Sequence, residues 1–437
     1  MSLDPRRTGA ADGLVDYLNA SPSPFHACAA TALRLNNAGF HELSEDEAWP
    51  AQPGCYFVVR GGSLIAWSTH HASNATTPFR VVGAHTDSPN LRIKPRPDLA
   101  RAGWQLLGVE VYGGPLISSW LDRDLGLSGR VAVRDGSSAR SVLFRDDDPI
   151  LRISRLAIHL DRSVRDGEQL NPQQHLSPHW GIGSTPGDFR AYLAGHCEVD
   201  ETDVLGWDVM THDLQPARIF GRDRDLVVGA RMDNLATCHA GTSALLSAAE
   251  SSGDAPVIQV LALFDHEEVG SVSERGAASI FLPVILERIS TSRGAGREEH
   301  LRALSGSIVA SGDMAHATHP NYSERHEPQH TVAINGGPVL KANSQLRYAT
   351  DAMGAAAFRL ACEQAHVPCQ DFVVRSDMPC GSTVGPVTSA GTGVNTVDFG
   401  AATLSMHSAR ELVGAADQQM YADALTAFLS PVETMRR

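Results

Sequence analysis

The sequence predicts an α/β protein. A discontinuous domain, residues 1–91 and 224–437, carries a mixed or parallel sheet covered by helices, and a β-rich domain, residues 92–223, is inserted into it. Three observations carry this reading. After Leu226, apolar runs alternate with helix-like text, the pattern of a largely parallel sheet covered by helices. The run Phe79–Ala84, which leads into His85, has a short buried-strand pattern of the same character as the later strands. The stretch from about Arg92 to Asp223 differs: short alternating runs are separated by turn residues. At about 100–200 residues per domain, 437 residues allow two or three domains, or one large domain carrying an insertion.

Each element follows from local pattern. Ala11 to Leu18 and Ala27 to Leu35 place apolar residues at helical spacing, and SPSPFH between them supplies residues that end one helix and start the next. CYFVVRGGSLIAWS reads as a hairpin turning at Gly61-Gly62. In the β-rich block, QLLGVEVYG, GLSGRVAVRDG, SARSVLFRDD and RLAIHLD read as strands, and Arg162 to Gly187 as a polar loop. Beyond it, LVVGA is a strand, Asn234 to Glu250 a helix, and Val257–Phe264 and Gly306–Ser311 strands.

Composition narrows the function classes. Hydrophobic residues make up 42% and charged residues 20%, enough apolar material for a large core. No apolar run is long enough to cross a membrane as a helix, and MSLDPRRTGAADG has no apolar leader, so a cytoplasmic protein is expected. Fifty Asp and Glu against 36 Lys and Arg leave a net charge of −14, which argues against nucleic acid and anionic membrane as partners. Seven cysteines at irregular spacing, with no CxxC, read as reduced thiols, mostly buried.

The chemistry concentrates at strand ends. VVGAHTDSP puts His85 and Asp87 just after a strand; VVGARMDN does so for Asp233, VLALFDHEEVGS for Asp265, His266, Glu267 and Glu268, and IVASGDMAHATHP for Asp313. ATLSMHSARE puts His407 after an apolar run and before a helix. Ligands of open α/β sheets bind outside the carboxyl ends of strands, and Asp, Glu and His are donors that zinc accepts. Plainer roles compete: a helix cap at Asp233, a turn at Asp313, and loop histidines at His316, His319, His326 and His330. Glu267-Glu268 is harder to explain so, because two adjacent carboxylates ending an apolar strand are costly to bury without a cation. HEEVG lacks the second histidine of HExxH, and no phosphate-binding glycine loop or GxSxG elbow is present. Gly381 to Gly385 read as glycines that let main chain approach a substrate.

Taken together and in order, GAHTDSP, RMDN, FDHEEVGS, SGDMAHATHPNY, CGSTVGP and LSMHSARE resemble the aspartyl aminopeptidases, binuclear zinc exopeptidases. The resemblance spans Gly83 to Glu411 and implies a zinc-exopeptidase-like catalytic domain. It implies that His85, Asp233 and Asp313 hold one metal and that Asp233, Glu268 and His407 hold the other, with Asp233 bridging. Glu267 would be the general base, and Asp87 would orient His85. Two zinc ions are expected, with cobalt or manganese as substitutes. The implied substrate is a peptide with a free N-terminal Asp or Glu. Lys341 is the first choice for its acidic side chain and Arg347 the second, against a plain surface lysine. His159, in LAIHLDR, would complete a neighbouring subunit's site, unless it is a core histidine at a strand end. A dimer-based homo-oligomer, up to a dodecamer, is implied, with the β-rich insert as its dimerisation or oligomerisation domain. The competing functions are a related binuclear zinc hydrolase with broader aminopeptidase, carboxypeptidase or deacylase specificity, and a shell or cargo protein that has lost catalysis.

Overall fold

A computed structural model describes residues 5–251 and 255–433; the segment Met1–Asp4 that opens the stretch read for a leader lies outside the described residues. The chain starts with the expected helices, Pro5–Ala20 and Pro24–Asn37. Ser23 caps the second, its hydroxyl accepting from the His26 amide, and Pro24 fills the first turn, where a missing N–H costs nothing. The hairpin pairs Cys55–Arg60 with Ser63–Ser68.

A nine-stranded sheet organises the α/β part, in the order His41–Glu42, Cys55–Arg60, Ser63–Ser68, Ile258–Phe264, Phe79–His85, Ile308–Gly312, Asn395–Gly400, Val339–Ala342 and Gln370–Val373. Its four central strands, Ile258–Phe264 through Asn395–Gly400, run parallel, so their carboxyl ends share one edge. Phe79–His85 and Ile258–Phe264 are buried at every position, in keeping with their largely apolar text, and Arg80, His85 and Gln259 are buried with them. Alternate residues feed two cores. Val82, Ala84, Leu261 and Leu263 face the helices Met232–Glu250, Ala352–Gln364 and Asp417–Leu429. Val81, Val260 and Phe264 face Phe281–Ser292 on the other side. Truncating a fully buried side chain such as Leu261 to alanine would cost about 2–5 kcal/mol.

The middle of the chain closes into a six-stranded barrel, ordered Val204–Asp213, Asn90–Arg101, Trp104–Tyr112, His179–Ile182, Ser138–Arg152 and Asp124–Asp135. Its own core includes Leu107, Leu127, Val131, Phe189 and Val209. Phe189 belongs to a helix, Phe189–Cys197, capped by Asp188. A smaller five-stranded sheet joins Arg218–Phe220, Leu226–Gly229, Glu411–Gly414, Ala402–Leu404 and Ala315–His316.

Four local expectations need correction. RLAIHLD forms no strand: the chain turns there and leaves Leu156, Ile158 and Leu160 exposed, so alternation without a partner strand did not suffice. The stretch 162–187 is not all loop, because His179–Ile182 pairs with Trp104–Leu106 and closes the barrel. His407 is followed by the strand Glu411–Gly414 rather than a helix. Arg218–Phe220, within the segment assigned to the insert, pairs with Leu226–Gly229 in the small sheet, while Asn90 already pairs with Tyr112 in the barrel. Among the described residues, no helix is long and apolar enough to cross a membrane.

Candidate active site

The shared edge of the parallel strands gathers the titratable residues. His85 ends its strand, and Glu267 and Glu268 sit in the short 3-10 turn after Ile258–Phe264. Asp313 directly follows Ile308–Gly312, and Asp233 stands in the first turn of Met232–Glu250 with non-helical backbone angles. His407 comes from the loop between two strands of the small sheet.

Two overlapping groups result. His85 Nε2 lies 3.3 Å from Asp233 Oδ1 and 3.6 Å from Asp313 Oδ1. His407 Nε2 lies 3.5 Å from Asp233 Oδ2 and 3.4 Å from Glu268 Oε2. Asp233 thus turns one oxygen to each group. Zinc binds N and O donors at about 2.0–2.2 Å, and the edge of such a tetrahedron is about 3.3–3.6 Å. The donor spacings here fall in that range. Among the described residues, Asp233 Oδ1 and Glu268 Oε1 are buried without a hydrogen-bond partner, which leaves lone pairs aimed into the centre. Both triads, His85/Asp233/Asp313 and Asp233/Glu268/His407, are sets that can hold a metal ion, and the donors fit zinc.

The electrostatics point the same way. Burial first, and then the charges of Asp313, Asp87 and Asp233 against the pull of His85, push Glu267 up to about 8. Glu268 is likewise pushed up, by burial and Asp233. His407 is raised to about 10: burial alone would lower it, but the hydrogen bond with Asp233 and the charge of Glu268 prevail. Crowded carboxylates that hold protons against their nature are the condition a divalent cation relieves.

Supporting contacts fix the donors. His85 Nδ1 is 3.0 Å from the Asp87 carbonyl oxygen; an Nδ1–H donated there leaves Nε2 free to ligate. His407 Nδ1 makes the same kind of contact, at 3.0 Å, with the Gly114 carbonyl. The fully buried Asp87 carboxylate accepts from the Glu267 and Glu268 amides, each at 3.1 Å, and from the Tyr112 hydroxyl at 2.6 Å. It therefore holds the glutamate turn as well as facing His85. Gly113 has φ +72°, and a Cβ there would press on Glu268 Cβ at 3.1 Å, so only glycine suits that turn.

Sequence reasoning passed over Glu411. This buried carboxylate accepts from the Asp233 amide at 3.0 Å and the His407 amide at 2.8 Å, clipping together the two segments that carry donors of one triad. Burial raises it to about 8. Its only signal in sequence was its place four residues after His407. Tyr112, Gly113 and Gly114 were missed because they belong to the barrel, far from any acidic motif.

Lys341 is no surface lysine. It is buried, its Nζ donates to the Met314 carbonyl at 3.2 Å, lies 3.9 Å from Asp313 Oδ2, and stands over the Tyr348 ring. Arg347 is exposed. His159 lies on the exposed turn after the barrel strand Ser138–Arg152 and is not a core histidine. Gly385 does not line an open path: a Cβ there would strike the Asp398 carboxylate inside the fold. His266 turns away to Ser273 and Arg275.

Comparison with known proteins places the chain in a family. The family described as "Aminopeptidase I zinc metalloprotease (M18)" matches residues 17–429. A "Probable M18 family aminopeptidase 2" of Streptomyces coelicolor is 53% identical over 426 residues, covering 97% of this chain and 98% of that protein. Among solved structures, the fold superposes with a TM-score of 0.93 on a chain from "Cryo-EM structure of the Ape4 and Nbr1 complex", at 35% identity over 98% of this chain and 88% of that one. A chain described as the S. cerevisiae mApe1 dodecamer shares the fold at a TM-score of 0.84 and 24% identity, covering 98% of each. With the match extending over nearly the whole chain, this protein belongs to the aminopeptidase I zinc metalloprotease (M18) family and is a zinc aminopeptidase.

Proposed function

We propose that this aminopeptidase removes N-terminal Asp or Glu from peptides at a two-metal centre. The observation that carries the reading is the pair of three-donor groups sharing Asp233. In it His85, Asp233 and Asp313 hold one zinc and Asp233, Glu268 and His407 the other; cobalt or manganese can substitute. Zinc held there supplies Lewis-acid polarisation of the scissile carbonyl and acidifies water.

The chain's own residues do the rest. Glu267, in reach of His85 and Glu268, takes the proton of the attacking water and delivers it to the leaving amine. Asp87 is a positioning residue: its carbonyl orients His85, and its carboxylate fixes the turn that presents Glu267. A carboxylate of the centre, Glu268 or Asp313, meets the substrate's free ammonium. Lys341 supplies the cation for an acidic first side chain. Its burial beside Asp313 supports that role, since a desolvated charge discriminates more strongly than a surface one.

The barrel segment, roughly residues 92–223, serves assembly in this reading. Its exposed turn carries Leu156, Ile158 and Leu160 around His159, and a neighbouring copy would bury them and receive His159 at its own centre. The dodecamer described for the S. cerevisiae relative sets the scale of such a homo-oligomer. Seven free cysteines fit a reducing, cytoplasmic setting.

A hydrolysis panel tests the function. Unblocked peptides beginning with Asp, Glu, Ala, Leu or Lys are compared with N-acetylated versions, with and without chelator. Chelator-sensitive cleavage of free Asp and Glu peptides alone is the expected result. Preference for Leu or Ala would discard the acidic pocket and leave a broader aminopeptidase. A requirement for a free carboxyl end in place of a free amine would move the reading to a carboxypeptidase.

A further inference from the structure

At the opposite end of the sheet from the metal donors, a cavity of about 350 Å³ opens between the helices Ala352–Gln364 and Asp417–Leu429. Arg80, near the start of the strand that ends in His85, lines it. Arg80 is only 4% exposed, with its guanidinium over the Phe428 ring at 5.4 Å. Among the described residues it has no ion pair, and its buried Nε has no hydrogen-bond partner. Arg231, by contrast, is buried with its guanidinium donating to the Ser21 and Leu18 carbonyls. A buried cation without a partner is costly, and one that opens on a cavity is set to receive an anionic group.

The rest of the cavity narrows the ligand. Leu360, Phe428 and Val432 give it apolar walls, while Glu363 and Glu433 are exposed on its lining. A simple anion meets the glutamates unfavourably, and a simple cation meets Arg80 unfavourably. A zwitterion with its carboxylate inward and its ammonium outward satisfies both. We propose that this cavity binds a free α-amino acid with an apolar side chain, its carboxylate on Arg80, its side chain on Leu360, Phe428 and Val432, and its ammonium facing Glu363 and Glu433. The site is separate from catalysis: five strand residues at about 3.3 Å each put Arg80 about 16 Å from His85.

Calorimetric titration of the metal-loaded protein tests this with three probes: L-leucine, 4-methylpentanoate, which lacks the ammonium, and 3-methylbutylamine, which lacks the carboxylate. L-Leucine should bind the wild type more tightly than either. R80M should weaken L-leucine binding about 10- to 100-fold, the loss expected for a charge-assisted hydrogen bond, while peptidase activity stays at the wild-type level. L360W, at an exposed position, fills the cavity, leaves Arg80 in place and should also abolish this binding, which keeps the test sound where R80M folds poorly. L-Leucine isotherms equal in wild type and L360W would assign the binding to the catalytic centre and overturn the proposal. So would the absence of binding up to about 50 mM.

Discussion

The carboxyl edge of the nine-stranded sheet and the closed barrel are both built from strands, yet they bring different things to one centre. The sheet edge brings side chains with charge: His85, Asp313 and the Glu267-Glu268 turn, each at the end of a parallel strand. The barrel brings the Tyr112 hydroxyl, the close approach of Gly113 and the Gly114 carbonyl. Parallel strands with helix-covered faces have one free place for polar groups, their ends, so donors converge there. A barrel strand that only touches the centre needs no charge of its own. It fixes tautomers and holds loops.

This contrast is sharpest for Asp233, the donor common to both triads. Asp233→Asn is expected to show the largest effect: loss of both zinc equivalents by metal analysis and of activity to background. Retention of two full equivalents would refute the shared-donor reading. Glu267→Gln comes next. It should lower kcat about 10²- to 10⁴-fold with metal content unchanged. If both kcat and metal content fall, Glu267 is a ligand, not a base.

Smaller effects probe the supports. Glu411→Gln swaps one acceptor oxygen for an N–H donor against the Asp233 or His407 amide, and metal affinity should fall about 10- to 100-fold, read by competition with a chelator. On the barrel side, Tyr112→Phe removes one hydrogen bond to Asp87, a loss of about 1–3 kcal/mol in stability for a buried charged acceptor, with a measurable drop in metal affinity. An unchanged melting curve and zinc affinity would show the barrel to be a bystander at this contact.

An effect absent at neutral pH, and therefore the smallest under ordinary assay conditions, lies in the helical layer behind the centre. His239, bonded to the Gln418 amide, is pushed down to about 3, by burial first and Arg34 second. Its folded pKa lies below the unfolded value of about 6.5, so its contribution is fully present above that pH and is lost as pH falls from 6.5 toward 3. Stability should decline by up to about 1.4 kcal/mol per pH unit through that window, and His239→Gln should flatten the slope in denaturant titrations.

How much was legible in advance depended on whether a residue's role was local. The buried strands Phe79–His85 and Ile258–Phe264 announced themselves through largely apolar text, and the five candidate donors through polar residues placed where apolar runs stop. RLAIHLD misled because alternation reports a half-buried strand only when a neighbour strand exists, and here none does. His179–Ile182 was hidden in a polar loop because its barrel position is set by pairing with Trp104–Leu106, not by its own hydrophobicity. Glu411 and Tyr112 were invisible for the same reason: each acts on a residue distant in the chain. Lys341 was half legible, since its residue type suggested a counter-charge but nothing local told burial from solvation.

The sequence by itself therefore determined the α/β class, the β-rich segment in outline and the candidate donor set. These follow from hydrophobic period and strand-end chemistry, which are properties of short windows. Tertiary structure alone decided that Asp233 faces two histidines at once, that Glu411 and Asp87 clamp the loops bearing the candidate donors, that barrel and sheet meet at Tyr112 and Gly113, and that Arg80 is buried without a partner among the described residues. Each of these is a distance between segments remote in the chain, and such distances are fixed by how the cores pack, not by any residue's neighbours in sequence.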